Sequence, residues 1–142
     1  MPLRYFALVL GVIFLLVGIM GFVPGLLTAP PAGHDVTVHS FHGQLLGMFP
    51  VNVLHSLIHV LFGVWGIAAY FRFDASRFYA RFVAVAYGLL AIMGLIPGLN
   101  TVFGLIPIHG NDVWLHAFIA IAAAYFGWAS VREPSPTFTT TP

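Results

Sequence analysis

Four stretches of this chain are long and apolar enough to cross a lipid bilayer, which takes roughly 20 residues each. They run from Tyr5 to Val23, Val51 to Phe71, Phe78 to Ile96, and Val113 to Val131. No formally charged residue occurs anywhere between Val36 and Phe71. Only 6% of the 142 residues are charged, against about 25% in a soluble domain. So few charges cannot cover a globular surface in water, and the expected fold is an all-α membrane protein of four transmembrane helices. Pro24, Pro50, Pro97 and Pro107 lie at or beside the segment ends, where proline is tolerated.

The first segment has some marks of a secretory signal, with Arg4 before the apolar run and Thr28-Ala29-Pro30 after it. It is longer than a signal core of roughly 7–15 residues, and it has a counterpart later in the chain. It is therefore expected to be the first helix. Residues 1–132 make one transmembrane domain, and the proline- and threonine-bearing stretch 133–142 reads as a polar cytoplasmic tail.

Charge placement sets an orientation. The arginines are Arg4, Arg72, Arg77, Arg81 and Arg132, at the N-terminus, around the second connection and after the fourth helix. The first and third connections have none. By the positive-inside rule both termini face the cytoplasm. All seven histidines then fall in the outer half.

The chain also repeats itself. Gly21-Phe22-Val23-Pro24-Gly25-Leu26-Leu27-Thr28 reads like Gly94-Leu95-Ile96-Pro97-Gly98-Leu99-Asn100-Thr101, and the match runs back to Arg4 and Arg77. Leu54-His55 and Leu115-His116 follow in the same order, each leading into a helix that ends rich in glycine and aromatic residues. This predicts a tandem duplication, residues 4–71 and 77–132, of a two-helix hairpin. The copies would be related by a pseudo-twofold along the membrane normal, with His55 and His116 as mates at one depth. His59 aligns with Ala120 and so belongs to the first copy alone. The first outer connection carries an insertion with His34, Asp35, His39 and His42. Apolar residues at helical spacing from Phe41 to Phe49 predict a short interfacial helix there.

His55 and His59 are four residues apart, which places both imidazoles on one helical face with Asn52 a turn earlier. His55 and His116 are expected roughly 6 Å inside their helix ends, and His59 roughly 12 Å. Polar groups at such depth are costly unless they have partners. One reading is interhelical hydrogen bonding, worth about 0.6 kcal/mol per pair. The sharper reading is ligation: His55, His59 and His116 are the candidate ligands of a divalent metal such as zinc, copper or iron, with Asn52 and Asp112 in support. Two tetrapyrrole alternatives stand beside it, a haem b held by His55 and His116, or a chlorophyll held by one histidine. Gly63 and Gly66 would leave room for a flat macrocycle, and would equally permit close helix contact. His34, His39, His42 and His109 are possible outer-loop ligands, though loop histidines are more often solvated. The chain has no cysteine, which excludes thiolate metal sites, cysteine-ligated iron–sulfur clusters and c-type haem.

Asn52-x-x-His55-x-x-x-His59-x-x-x-Gly63, Gly110-x-Asp112-x-x-Leu115-His116, and the Gly18-x-x-Gly21-Phe22-x-Pro24-Gly25 helix ending together resemble a bacterial four-helix membrane family catalogued as domain of unknown function 4383. The resemblance runs from Arg4 to about Trp128, and its tone is closest to members from photosynthetic bacteria. It implies the topology but no activity. Its members often carry an asparagine after the first histidine, where this chain has Ser56.

An enzyme is not expected. There are four acidic residues, and neither a serine–histidine–acid arrangement nor a phosphate loop. A transporter would show a broken helix or a buried charge in mid-membrane. The expected function is a membrane protein with a histidine-lined site near the outer leaflet that binds a metal or tetrapyrrole. The alternative is a non-catalytic accessory or assembly subunit of a larger membrane complex. Expected partners are the lipid bilayer and either other membrane-protein subunits or copies of itself. With no basic cluster and no lysine, nucleic acid is not among them.

Overall fold

The structure is a computed structural model that describes residues 2–30, 32–33 and 36–129. His34, Asp35, Arg132 and the tail 133–142 lie outside the described residues. The protein is mostly helical, with α1 (Pro2–Met20), α2 (Val53–Ala69), α3 (Phe73–Gly94) and α4 (Asn111–Ala124). A π-turn at Tyr125–Ala129 continues α4. Among the described residues, three helices are long and apolar enough to cross a membrane: α1 with 19 residues, α3 with 22, and α4 with its π-turn at 19.

The second span is shorter than the sequence predicts. α2 has 17 residues, because Val51 belongs to a strand, Asn52 caps the helix, and Tyr70 closes it. At 1.5 Å per residue it reaches about 25 Å, somewhat less than a hydrocarbon core of about 30 Å.

The predicted interfacial helix over Phe41–Phe49 does not form. That connection builds a small antiparallel sheet with β1 (Leu27–Thr28), β2 (Gly43–Leu45) and β3 (Phe49–Val51), in the order β1-β2-β3. Leu27 pairs with Leu45, and Leu45 pairs with Phe49. Phe41 and Leu46 take φ of 52° and 54°, with Gly47 at 71°, so left-handed residues break any helix at both ends of β2. Pro50 falls on the edge strand, where its missing N–H costs no ladder bond. A Cβ on Gly43 would stand 2.5 Å from the Thr28 carbonyl oxygen, so only glycine lets β2 lie this close to β1.

α1 packs along α2, and α3 along α4. Glycine sets the first contact. A Cβ on Gly63 would meet the Leu15 backbone nitrogen at 2.5 Å, and one on Gly11 would meet the Gly63 carbonyl oxygen at 2.9 Å. This is the small-residue packing by which membrane helices approach each other. Between the helices, Leu10, Phe14, Tyr79, Val83, Tyr87 and Ala123 form the core. The outward faces keep large apolar side chains exposed, among them Leu16, Leu61, Val64, Val85, Ile92, Phe118 and Ile121. Such an exterior suits hydrocarbon rather than water.

At the opposite end from the sheet, arginines close two helix C-termini. Arg4 on α1 donates to the Tyr70 carbonyl (2.7 Å) and to that of Phe71 (3.3 Å), at the end of α2. Arg77 and Arg81 on α3 both donate to the Gly127 carbonyl, at 3.3 and 2.9 Å. Cations there bind carbonyls left without intrahelical partners and oppose the negative end of the helix dipole. Arg4 lies over the Tyr70 ring at 5.2 Å, and Arg81 over Trp128 at 5.3 Å.

Candidate metal centre

Asn52 organises the outer end of α2. Its side-chain oxygen accepts from the His55 backbone N–H at 3.0 Å, an N-cap bond. Its amide donates to the carbonyls of Val38 (3.1 Å) and Leu105 (2.7 Å), one on each outer connection. The side chain is fully buried and fully used. It fixes where His55 begins and ties both connections to the helix, but it does not turn toward the imidazoles.

His55 is then oriented from behind. Its Nδ1 lies 3.0 Å from the Pro50 carbonyl oxygen. A carbonyl only accepts, so Nδ1 carries the proton and Nε2 presents a lone pair. His59 is fixed in the same way, with Nδ1 3.0 Å from the His55 carbonyl oxygen. A backbone carbonyl on the rear nitrogen is the usual support of a metal-binding histidine.

The front of His55 faces α4. Asp112 Oδ2 lies 3.7 Å from His55 Nε2 and 3.7 Å from His116 Nε2. Both distances exceed hydrogen-bond length. Asp112 Oδ2 and His116 Nδ1 are buried without a hydrogen-bond partner. One ligand atom from each of His55, Asp112 and His116 falls within 4.8 Å of the other two. Zinc ligands at about 2.0–2.1 Å stand about 3.3 Å apart on the edges of a tetrahedron, so a small inward movement of the carboxylate and imidazoles would close this set on an ion.

The structure brings His55 and His116 together, with ring centroids 6.1 Å apart. Asp112, expected in support, occupies the place expected of His59. His59 lies a turn deeper, 4.7 Å from the His55 ring and edge-on to Phe14 at 5.3 Å. Of the outer-loop histidines, His39 is exposed, His42 is half-buried 6.4 Å from it, and His109 is buried; none joins the His55–Asp112–His116 set. His34 lies outside the described residues.

Two contributors were not singled out from the sequence. Tyr87 stands edge-on to His116, with centroids 4.9 Å apart and planes at 86°. Pro50 contributes only its carbonyl, which no side-chain pattern could reveal. Tyr87 carried a weak signal as a polar aromatic in mid-helix.

Cavities flank the trio on two sides. One of about 240 Å³ is lined by His55, His59, His116 and Tyr87, with apolar residues of α2, α3 and the second outer connection. The other, about 110 Å³, is bordered by His55, His59 and Asp112 together with residues of α1 and the sheet. A haem held between His55 and His116 does not fit here. Gly63 and Gly66 are spent on contact with α1, where a Cβ on Gly66 would stand 2.8 Å from the Ala7 carbonyl oxygen. Asp112 Oδ2 lies 3.7 Å from both imidazole nitrogens, where the macrocycle would have to run. The larger cavity is also below the roughly 300–1,000 Å³ of pockets that enclose drug-sized ligands.

The family described as Domain of unknown function (DUF4383) matches residues 4–129. No curated protein and no solved structure matches the chain.

Proposed function

The chain belongs to the DUF4383 family, and we propose that it is an integral membrane protein that holds one divalent metal ion between His55, Asp112 and His116. The observation that carries this is Asp112 Oδ2, buried with no hydrogen-bond donor and 3.7 Å from two imidazole nitrogens. A buried carboxylate in that position is costly, and a cation bound by all three groups removes the cost. Two imidazoles and a carboxylate suit zinc, or iron(II) in the arrangement of two histidines and one carboxylate. We assign the site no reaction.

In this reading both termini are cytoplasmic and the metal lies toward the outer leaflet. The protein is a duplicated hairpin, and the arginine contacts support that view. Arg4 and Arg77 correspond in the two halves, and each donates to a carbonyl at the end of the helix that follows in its own half. His55 and His116 are then the duplicated ligands, while Asp112 belongs to the second half alone.

Equilibrium dialysis against Zn²⁺ of detergent-purified protein, without a polyhistidine tag, tests the assignment. One equivalent is expected for the wild type and none for His55→Ala or His116→Ala. Binding should weaken as pH falls, because protons compete for the imidazole lone pairs. Binding that is not saturable, or that survives both substitutions, would return the histidines to a purely structural role.

A further inference from the structure

Resting on that metal assignment, we propose that the centre takes an exogenous ligand from the bilayer: a small uncharged molecule with an apolar body and a single lone-pair donor atom. Three protein ligands leave a tetrahedral ion at least one open position. His55 and His116 supply two of the three, and both also wall the cavity of about 240 Å³. The cavity of about 110 Å³ also touches two ligands, His55 and Asp112, but the one of about 240 Å³ is the roomier and is the one assigned to the guest.

The cavity selects by chemistry. Beyond the imidazoles and Tyr87, its lining is aliphatic and aromatic, including Ile58, Phe62, Ala86 and Leu90. No carboxylate or arginine is among its lining residues, so beyond the ion itself nothing there offsets the desolvation of a charged ligand. Phe62 closes the deep end, stacked edgewise on Tyr87 at 5.9 Å and lying 6.0 Å from Phe82.

The route is lateral. The helices pack as α1 on α2 and α3 on α4, whereas α2 and α3 meet sparingly. The cavity lies in that seam. Ile58, Ala86 and Leu90 are half-buried at its edge, beside Leu61, Val85 and Leu89, whose exposed side chains face outward. On the outer side Val102, Ile106 and Ile108 of the second outer connection, between α3 and α4, cover it, and Ile108 is 1% exposed. A molecule dissolved in hydrocarbon thus meets an apolar opening, while one in the aqueous phase meets the connection. His59 holds its Nδ1 proton on the His55 carbonyl, which leaves Nε2 as an acceptor at the cavity wall for an N–H or O–H of the guest.

Full-length protein loaded with Co²⁺ in phosphatidylcholine nanodiscs provides the test, with the d–d absorption band read against added 4-phenylimidazole and imidazole. Saturable perturbation by 4-phenylimidazole is expected, with at least tenfold weaker binding of imidazole. Ala86→Trp, which fills the cavity, should weaken 4-phenylimidazole at least tenfold in the same lipid while cobalt content stays at one equivalent. Leu90→Phe, a milder filling, should move affinity in the same direction. Equal binding by both variants and wild type, or no spectral response with cobalt still bound, would overturn the proposal and leave the metal site standing. Absence of bound cobalt in the wild type would overturn both.

Discussion

Asp112 and His55 face each other across two different helices, with Oδ2 3.7 Å from Nε2, and Asp112 stands at the same 3.7 Å from His116 on its own helix. The i, i+4 spacing of Asp112 and His116 follows from the sequence. The approach of His55 does not, since it depends on where Asn52 starts α2 and on how the helix pairs meet.

Asp112→Asn separates metal binding from folding. The amide can donate to an imidazole Nε2, so the metal-free protein should be as stable as wild type or more so. Loss of the carboxylate should lower Zn²⁺ affinity by at least about tenfold, the least seen for removing even an indirect partner of a metal. Thermal unfolding and a zinc competition assay measure the two effects. Affinity equal to wild type would exclude Asp112 as a ligand.

Asn52→Ala removes an N-cap bond worth about 0.5–2 kcal/mol and strips two carbonyls of their donor at about 1–3 kcal/mol each. A loss of at least about 2 kcal/mol is expected in denaturant titrations in mild detergent. Asn52→Asp keeps the cap but cannot donate to Val38 and Leu105, so it should fall between Asn52→Ala and wild type. If Asn52→Asp equals wild type, the contacts to the outer connections carry no stability.

A pair of glycines tests the helix contact. Gly63→Ala would press a Cβ against the Leu15 backbone at 2.5 Å, so α1 must shift, at a cost of about 1–3 kcal/mol. Gly88→Ala would meet only the Ala120 side chain at an ordinary 3.9 Å and should be neutral or stabilising by about 0.5–1 kcal/mol. Of the two unfolding midpoints, only that of Gly63→Ala should fall below wild type. Equal midpoints would mean that α1 and α2 do not pack as described.

Since the chain has no cysteine, single cysteines report topology cleanly. Pro30→Cys in the first connection should react with an impermeant maleimide added to intact cells. Asp74→Cys, in the first turn of α3 beside the second connection, should react only after permeabilisation. Labelling in the reverse order would invert the proposed orientation.

Much of the fold was readable because hydropathy and helix length are local properties. The four helices lie within a few residues of the apolar segments. The outer connection was misread because Phe41, Leu46 and Gly47 adopt positive φ, which residue spacing does not encode. His55 and His116 were legible as histidines near the starts of two apolar segments. Asp112 was legible only as a neighbour of His116. Its place beside His55, and the hold of Pro50 on the His55 ring, are products of tertiary structure.

The central claim is a centre of two imidazoles and one carboxylate, and X-ray absorption at the zinc edge of the loaded, untagged protein reports those ligands directly. A first shell of nitrogen and oxygen at about 2.0–2.2 Å is expected, with multiple scattering from two imidazoles and no sulfur. His116→Ala should abolish binding and with it this first-shell signal. An oxygen-only shell, or a spectrum unchanged by that substitution, would contradict the account.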